Sequence, residues 1–240
     1  MNTQLIGPAG QIESILTLMA EDATMDISAN VKVLLYGAPG IGKTELCNRL
    51  ASQLTGGQAF AVESINGKEL DIAKVKYWRN EMLYGNIFAP WSVKIVNEVD
   101  RASVDAQVLM LTLLDELPSR RAILATSNLN VGALSDRFQT RFSQYKVAAP
   151  STEELIAFIR SKYPAVSESD CGMIAVGSGG NVRAALADAK SADLAIRAAQ
   201  RKADAPYQDR VPKPIAGREK LMAAYVEESE SGDGLEELFT

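Results

Sequence analysis

The sequence has no histidine, only two cysteines and no long apolar run. Without histidine, a histidine general base is excluded, and Cys47 and Cys171 lack the spacing of a zinc site. No apolar stretch approaches the roughly 20 residues that a membrane-spanning helix needs, so we expect no membrane partner. The first residues also lack the basic-then-apolar pattern of a secretory signal. Together with the scarce cysteine, this favours a reducing, cytoplasmic setting.

Negative charge collects at the end of the chain. The net charge is −5, and Val226–Thr240 carries six carboxylates and no basic residue. The rest of the chain is therefore nearly neutral and has room for a local basic patch, whereas the tail is predicted to be disordered.

Residues 37–44 read G-A-P-G-I-G-K-T, which is a complete phosphate-binding loop. An apolar run, Val31–Leu35, precedes it, and leucines at helical spacing follow it, as expected of a loop between a strand and a helix. Backbone N–H groups of such a loop point at phosphate oxygens, aided by the helix dipole. The motif predicts binding of ATP with Mg²⁺, with Lys43 on the β- and γ-phosphates and Thr44 on the metal. The cofactor-binding residues predicted here are Gly37, Pro39, Gly40, Ile41, Gly42, Lys43, Thr44 and Glu45.

Strands and helices alternate from Val31 to about Val147, which predicts an α/β fold with a parallel five-stranded sheet. The predicted strands are 31–36, 59–65, 93–97, 122–127 and 144–147; the predicted helices between them are 43–54, 70–83 and 103–116, after a lead-in helix over 11–20. From Pro150 the pattern is helical only. Ser151 and Glu154 form a capping box there, and further helices are predicted over 168–176, 181–189 and 190–202. The predicted domains are thus 1–149, an α/β nucleotide-binding domain; 150–202, a small helical lid; and 203–240, a linker with a short helix over 218–225 and the acidic tail.

Polar side chains end two of the apolar strands. Asn97, Glu98 and Asp100 follow the strand over 93–97, and Asn128 follows the strand over 122–127. Glu98 is the candidate base that orients and polarises an attacking water. Asn128 suits a hydrogen bond to the γ-phosphate or to that water, and a loop-capping role is the alternative.

In combination, these motifs resemble the AAA+ ATPases, most closely their clamp-loader and replication-factor branch. The resemblance covers about residues 5–190. Glu98 with Asp100 is similar to the family's acidic Walker B motif, Asn128 to its sensor 1, and Gly179–Arg183 to its sensor 2. Leu5–Gly7 resembles the adenine-contacting box, which implies that Ile6 touches the base.

The resemblance also implies an arginine finger, which completes the nucleotide site of a neighbouring subunit. Gln139–Phe142 is similar to the finger motif and places Arg141 in that role, with Arg137 in Asp136-Arg137-Phe138 as a rival. Arg183 of the sensor 2 motif is expected to swing from the lid onto the phosphates. For each arginine, an ordinary surface ion pair is the alternative.

Asn97 departs from the family pattern, which has a metal-ordering aspartate there. Thr44, Asn97 and Glu98 are the candidate metal ligands, and the neutral Asn97 is expected to weaken Mg²⁺ binding without abolishing it. The expected activity is an ATPase that is slow or stimulated by a partner.

The family resemblance implies self-assembly into a ring or spiral, a hexamer or a pentamer. Residues 203–240 are too few for a clamp loader's helical collar, so the likeness is to the ATPase core. Lys68, Lys74, Lys76 and Arg79 offer a sequence-nonspecific DNA surface, or else an ordinary solvated helix face. The acidic tail suits a protein partner with a basic-rimmed apolar pocket, or else only keeps the chain in solution.

The leading hypothesis is therefore a clamp-loader-like or helicase-loader-like ATPase that acts on DNA, or on a DNA-bound protein complex, in replication or recombination. One alternative is a MoxR-type protein-remodelling chaperone, although the insertions usual in those proteins are not seen. The other is a nucleotide switch with little hydrolysis, which Asn97 favours. The compact size also suits a phage-borne gene, although no residue proves that origin.

Overall fold

The computed structural model of the protein describes residues 5–84, 88–128 and 134–204. Its strands are β1 (Val31–Tyr36), β2 (Val62–Asn66), β3 (Ser92–Asn97), β4 (Arg121–Ser127) and β5 (Ser143–Lys146). Its helices are α1 (Gly7–Met25), α2 (Lys43–Thr55), α3 (Ile72–Met82), α4 (Val104–Asp115), α5 (Asp136–Gln139), α6 (Thr152–Lys162), α7 (Glu168–Gly177) and α8 (Val182–Asp204). Two single 3-10 turns matter below: the Gly67 turn (Gly67–Glu69) after β2 and the Val99 turn (Val99–Arg101) after β3.

The five strands form one parallel sheet in the order β2-β3-β4-β1-β5. Successive side chains of a strand point to opposite faces, so β1 sends Val33 and Leu35 into the core shared with α1 and α2, and Leu34 into the core shared with α3, α4 and α5. Burial on both faces explains why β1 and β4 are almost continuously apolar. The predicted parallel α/β fold is confirmed.

The strand register places the ends of the strands side by side. Asn66 of β2 pairs with Asn97 of β3, and Tyr36 of β1 pairs with Ser127 of β4. The residues that follow these strands therefore meet along one edge, where ligands bind in open parallel sheets.

Four predicted elements differ from the structure by more than two residues. The lead-in helix extends beyond 11–20 at both ends, and Pro8 lies in the first turn of α1, where a missing N–H costs nothing. Residues 59–61 form a 3-10 turn instead of the start of β2. The helices predicted over 181–189 and 190–202 are the single helix α8, since no glycine or proline interrupts 182–204 and the Ser191 hydroxyl bonds back to the Ala187 carbonyl.

The helices after Pro150 have a core of their own. Leu155, Ile159, Cys171, Ala185 and Ala189 are buried together there. The predicted capping box is confirmed: Ser151 Oγ accepts from the Glu154 N–H, and the Glu154 carboxylate accepts from the Ser151 N–H.

Met1–Ile196 form one compact unit, and Arg197–Thr240 form a second, of which 197–204 is described, as helix. The domain boundaries at 149/150 and 202/203 stay predictions. The linker, the 218–225 helix and the acidic tail 226–240 lie outside the described residues. Within the described ranges, no helix has the length and apolarity that crossing a membrane requires.

Candidate nucleotide-binding and hydrolysis site

A cavity of about 410 Å³ lies at the carboxyl edge of the sheet. The phosphate-binding loop forms its floor, and the starts of α1 and α8 contribute to its walls. Predicted site residues that line it are Ile6, Pro39, Gly40, Ile41, Gly42, Lys43, Thr44, Glu45, Asn97, Glu98, Asn128 and Arg183. The fold thus brings together residues from five separate stretches of the chain.

Lys43 is 6% exposed and has no carboxylate bound to its ammonium group among the described residues. Its Nζ donates to the carbonyl oxygens of Gly37 and Ala38 at 2.8 and 2.6 Å. Loss of solvent lowers the pKa of Lys43 to about 8, although the charges of Asp100 and Glu98 oppose the shift. A buried cation held only by carbonyls suits an anionic ligand, so this loop fits a phosphate group.

Gly40 lets the first turn of α8 approach the phosphate-binding loop. Its φ is +77°, and a Cβ there would overlap the Asn181 amide. The Arg183 N–H donates to the Gly40 carbonyl at 3.1 Å, and Asn181 Oδ1 caps α8 by accepting from the Ala184 N–H. The exposed Arg183 side chain consequently starts from the rim of the cavity, where the sensor 2 role requires it.

Thr44 and Asn97 form the oxygen pair that suits a magnesium ion. Thr44 Oγ1 donates to Asn97 Oδ1 at 3.0 Å, and Asn97 Nδ2 donates to Ser64 Oγ at 3.0 Å, which turns the amide oxygen toward Thr44. The described residues hold no cluster of three or more His, Cys, Asp or Glu side chains. The Thr44 hydroxyl and the Asn97 amide oxygen are hard oxygen ligands of the kind that Mg²⁺ binds, with phosphates and water completing its shell.

The Asn97→Asp variant is expected to bind Mg²⁺ more tightly or to hydrolyse ATP faster than the parent. The added carboxylate supplies the charge that the amide lacks beside a divalent cation. Titration of the ATPase rate with Mg²⁺ at saturating ATP measures both quantities. Unchanged half-saturation and unchanged maximal rate would contradict the expectation, and Ser64→Ala controls for loss of the hydrogen bond that orients residue 97.

Glu98 has donors on both carboxylate oxygens. Asn128 Nδ2 donates to Oε1 at 3.0 Å; Arg101 Nη1 donates to Oε2 at 2.8 Å, and Asn66 Nδ2 lies 3.5 Å from the same oxygen. Partial desolvation raises the pKa of Glu98, but Asn66, the charge of Arg101 and Asn128 together lower the pKa below its ordinary value. Glu98 is therefore ionised near neutral pH. In this arrangement its hydrogen-bond partners include Asn128, the residue predicted to be sensor 1.

The backbone at Glu98 is held in an uncommon conformation. Its φ is +55°, which a residue with a side chain seldom adopts, and its N–H donates to Thr126 Oγ1 at 3.1 Å. Gly67 packs against the Glu98 carbonyl so closely that a Cβ at Gly67 would overlap it. Gly67 and Thr126 thus aim the carboxylate into the cavity.

Arg141 and Arg137 lie outside this cavity. The Arg141 guanidinium makes a bidentate ion pair with Asp115, at 2.7 and 2.8 Å, and donates to the Arg137 carbonyl at 2.7 Å. The pair with Arg141 lowers the pKa of Asp115. The Arg137 guanidinium is exposed and has no hydrogen-bond or ion-pair partner among the described residues. Neither arginine reaches its own chain's cavity, which is the position expected of a group that acts on a neighbour.

Four contributors were missed by sequence reasoning: Asn66, Gly67, Thr126 and Arg101. For two of them, the position at the end of a predicted strand could have indicated a place in the site. Asn66 ends β2, and Thr126 is the second-to-last residue of β4, so both lie at the edge where the phosphate-binding loop lies. The contact of Gly67 depends on how two turns pack, which no spacing in the chain reveals. Arg101 lies three residues after Glu98, so its ion pair with Glu98 is local and its spacing was a third signal.

The parallel sheet, the phosphate-binding loop and the polar cluster beside it define a P-loop nucleotide-binding core. Residues 33–147 match the AAA family, the ATPase family associated with various cellular activities. This part of the chain is therefore similar to the AAA ATPase family. No curated protein sequence matches the chain.

Solved structures share this fold. One RuvB variant from Thermotoga maritima is 20% identical over 75% of this chain, with a TM-score of 0.62; another is 23% identical over 78%, with a TM-score of 0.61. A DNA polymerase III gamma subunit-related protein from the same organism is 17% identical over 69%, with a TM-score of 0.51. The chain spans 60% and 62% of the RuvB chains and 56% of the third.

Proposed function

We propose that this chain is an AAA+ ATPase that binds ATP with Mg²⁺ and hydrolyses it slowly, or when stimulated by a partner. The observation that carries the proposal is that Lys43, Thr44, Asn97, Glu98 and Asn128 converge on one cavity. A bound Mg²⁺ would neutralise charge that develops on the phosphates. The chain's own residues supply the anion site, the metal-facing oxygens and an ionised carboxylate.

Each of these groups has a defined task. Lys43 would bind the phosphates, and Thr44 and Asn97 would hold the metal directly or through water. Glu98 accepts a proton from the attacking water, and Asn128 positions that water or the γ-phosphate, because it lies 3.0 Å from Glu98 Oε1. Arg183 approaches from α8, which is joined to the phosphate-binding loop at Gly40.

We also propose that the chain assembles with copies of itself in a ring or spiral, a hexamer or pentamer. Arg141, with Arg137 as rival, would then complete the site of the neighbouring copy. The support is their position, since both lie outside the cavity of their own chain. A clamp-loader-like or helicase-loader-like role in replication or recombination rests on the sequence motifs and on the gamma subunit-related neighbour, whose likeness is one of fold.

DNA is the proposed nonspecific partner, although half of the predicted basic surface is neutralised. Lys74 is paired with Glu63, and Arg79 is paired with Glu116 at 2.6 Å. Lys68 and Lys76 are exposed and have no ion-pair partner among the described residues. These two lysines are the better candidates for phosphate contacts. Docking of a protein partner by the acidic tail, and the cytoplasmic setting, remain part of the proposal.

Parent protein is expected to bind ATP, to grow in particle size with ATP and Mg²⁺, and to hydrolyse ATP faster with single-stranded or primed DNA. Its particle mass in solution and its steady-state ATPase rate test these points. Lys43→Ala is the matched control, because it removes the buried phosphate-binding cation and is expected to lose ATP binding.

The outcomes separate the hypotheses. ATP binding by Lys43→Ala that equals the parent's would remove the proposed nucleotide site. Stimulation of the ATPase rate by a protein partner and never by DNA would favour the hypothesis of a MoxR-type chaperone.

A nucleotide switch with little hydrolysis is the second candidate. Two observations favour it: Asn97 brings no charge to the metal, and Glu98 is held by donors on both oxygens. Tight ATP binding with no turnover under any of these conditions would identify this function.

A further inference from the structure

A short segment before α1, Leu5–Gly7, joins two separate hydrophobic cores, and we call it the strap. Leu5 packs against the core that contains β1, α1 and α2, and a Cβ placed on Gly42 of the phosphate-binding loop would lie 3.2 Å from Leu5 Cδ2. Ile6, the next residue, packs against the core of the helices after Pro150. The strap therefore connects the sheet to those helices within two consecutive residues.

The apolar side chains of the cavity come from the strap and from the helices after Pro150. Leu5 and Ile6 line the cavity together with Phe158 of α6 and with Val182 and Leu186 of α8. None of these five side chains carries a polar group, so together they suit a nucleobase, whereas the phosphate-binding loop suits phosphates. Binding of the base thus depends on how the strap lies against α6 and α8.

One carboxylate of α6 lies directly on the strap. A Cβ placed on Gly7 would lie 2.5 Å from Glu154 Oε2 and 3.0 Å from Glu154 Oε1. Gly7 has a φ of +53°, which glycine adopts without the steric cost that other residues have. The carboxylate therefore occupies the space that a side chain at position 7 would fill.

The capping box of α6 aims this carboxylate. Glu154 Oε2 accepts from the Ser151 N–H at 2.8 Å, and the Glu154 N–H donates to Ser151 Oγ at 3.2 Å. Glu154 Oε1 accepts no hydrogen bond from the residues of 5–84, 88–128 and 134–204. The capping box thus fixes the position of the side chain and leaves one oxygen beside Gly7.

α1 begins at the strap without a capping group of its own. Its N-cap residue is Ile6, which makes no side-chain hydrogen bond there, and its first turn contains no acidic residue. Negative charge stabilises the positive end of a helix dipole, and Glu154 brings such a charge from another helix. At an exposed position this interaction changes an equilibrium by about 2- to 5-fold.

We propose that Glu154 is a positioning residue for the nucleotide: its carboxylate holds the strap against α6 and thereby keeps Ile6 at the base-binding end of the cavity. The inference rests on the proposed binding of ATP. Glu154 is not one of the described residues that line the cavity, so it acts through Ile6. Its effect belongs to the affinity for the base and not to the affinity for the phosphates.

The first test compares ATP with tripolyphosphate as ligands of Glu154→Gln, by calorimetric titration in the presence of Mg²⁺. Glutamine preserves the capping box, because its amide oxygen accepts from the Ser151 N–H, but it removes the charge beside α1. The Kd for ATP is expected to rise by about 2- to 5-fold. The Kd for tripolyphosphate, which has no base to contact Ile6, is expected to stay unchanged. An unchanged Kd for ATP, or an equal loss of affinity for both ligands, would overturn the proposal.

Ile6→Ala tests whether Glu154 acts through Ile6. If it does, Glu154→Gln is expected to cause no further loss of ATP affinity in a chain that already carries Ile6→Ala, because the two changes affect one contact. Losses that add in the double variant would show that Glu154 acts by another route, and the proposal would be wrong.

Two further variants separate positioning from the stability of α6. Glu153→Gln removes the same charge from the same first turn of α6, and it is expected to bind ATP as the parent does. Ser151→Ala removes the Oγ of the capping box but leaves the carboxylate in place, so it is expected to lower the thermal unfolding midpoint and to keep the ratio of ATP affinity to tripolyphosphate affinity. A fall of that ratio in either variant equal to the fall in Glu154→Gln would overturn the proposal.

The second test needs no ligand. Hydrogen–deuterium exchange of the nucleotide-free protein, followed by mass spectrometry, measures the opening of the strap. In Glu154→Gln, a peptide that covers residues 5–10 is expected to exchange about 2- to 5-fold faster than in the parent, and a peptide from α4 is expected to be unchanged. Equal exchange of residues 5–10 in the variant and the parent would overturn the contact on which the proposal depends.

The two tests separate this inference from the proposed function. A parent that binds neither ATP nor tripolyphosphate overturns the proposed nucleotide site, and the role of Glu154 with it. A parent that binds both, with the same preference for ATP in Glu154→Gln, overturns the role of Glu154 alone.

Discussion

Replacing Glu98 with glutamine is expected to reduce kcat for ATP hydrolysis by about 100-fold or more, the usual contribution of a positioned general base. ATP binding is expected to persist, because the anion site at Lys43 and the Thr44–Asn97 pair are unchanged. The glutamine has nearly the same shape and still accepts from Asn128, but it has no carboxylate to take the proton of the attacking water. Steady-state hydrolysis and equilibrium binding of a fluorescent ATP analogue measure the two effects separately.

Asp105→Asn serves as the control for this result. It removes the same charge from an exposed position on α4, the helix after the Val99 turn, and is expected to keep the parent's kcat. If Glu98→Gln retained a rate within a few-fold of the parent, another group would have to act as the base. If it lost ATP binding too, Glu98 would have a ground-state role in holding the nucleotide.

Arg141→Ala is expected to reduce kcat by about 1,000-fold or more, the range observed for arginine fingers, with ATP still bound. The physical reason is the loss of a guanidinium beside the γ-phosphate of the neighbouring copy. Arg137→Ala is expected to have the smaller effect. Because Arg141 pairs with Asp115 in the single chain, the prediction requires that this pair opens or reorients when copies assemble.

Two controls decide whether Arg141 acts in catalysis or only holds α5 on α4. The charge-swapped variant, Asp115→Arg with Arg141→Asp, restores an ion pair but not a finger, so it is expected to stay inactive. Mixing Arg141→Ala chains with Lys43→Ala chains is expected to recover activity, since each supplies what the other lacks. Recovery by the swap, or a larger loss in Arg137→Ala, would show that Arg137 is the finger and that Arg141 is structural.

The sequence was a good guide wherever function depends on residues that are close in the chain. The phosphate-binding loop lies within 37–44. The relative positions of its glycines, lysine and threonine are therefore fixed by local backbone geometry. The strand positions followed in the same way from apolar runs, because a strand buried on both faces admits few polar residues. The prediction of two helices in place of α8 was wrong, because 182–204 holds no glycine or proline that would end the first of them.

The sequence predicted which residues belong to the candidate site better than it predicted which of them are in contact. Glu98 and Asn128 were chosen because each follows a buried strand, and the structure brings them within 3.0 Å. Gly67 gave no comparable signal, because its importance comes from two turns packing against each other. Arg101 lies three residues after Glu98, so its ion pair is local to one turn. The ion pair of Arg141 with Asp115 joins residues on α4 and beyond α5, so it also could not be found from spacing.

By itself, the sequence predicted the class of ligand and determined the type of sheet. A phosphate-binding loop requires a fixed order of small and basic residues, and a parallel sheet requires apolar strands that alternate with helices. Both patterns can be recognised from residues that follow one another in the chain. Only the tertiary structure decided which charges are free and which are neutralised. Lys74, Arg79 and Arg141 resemble available cations in the chain, yet each has a carboxylate partner that is distant in sequence and is brought close by folding. The physical reason is that an ion pair forms over a few ångströms of space, whatever the separation along the chain.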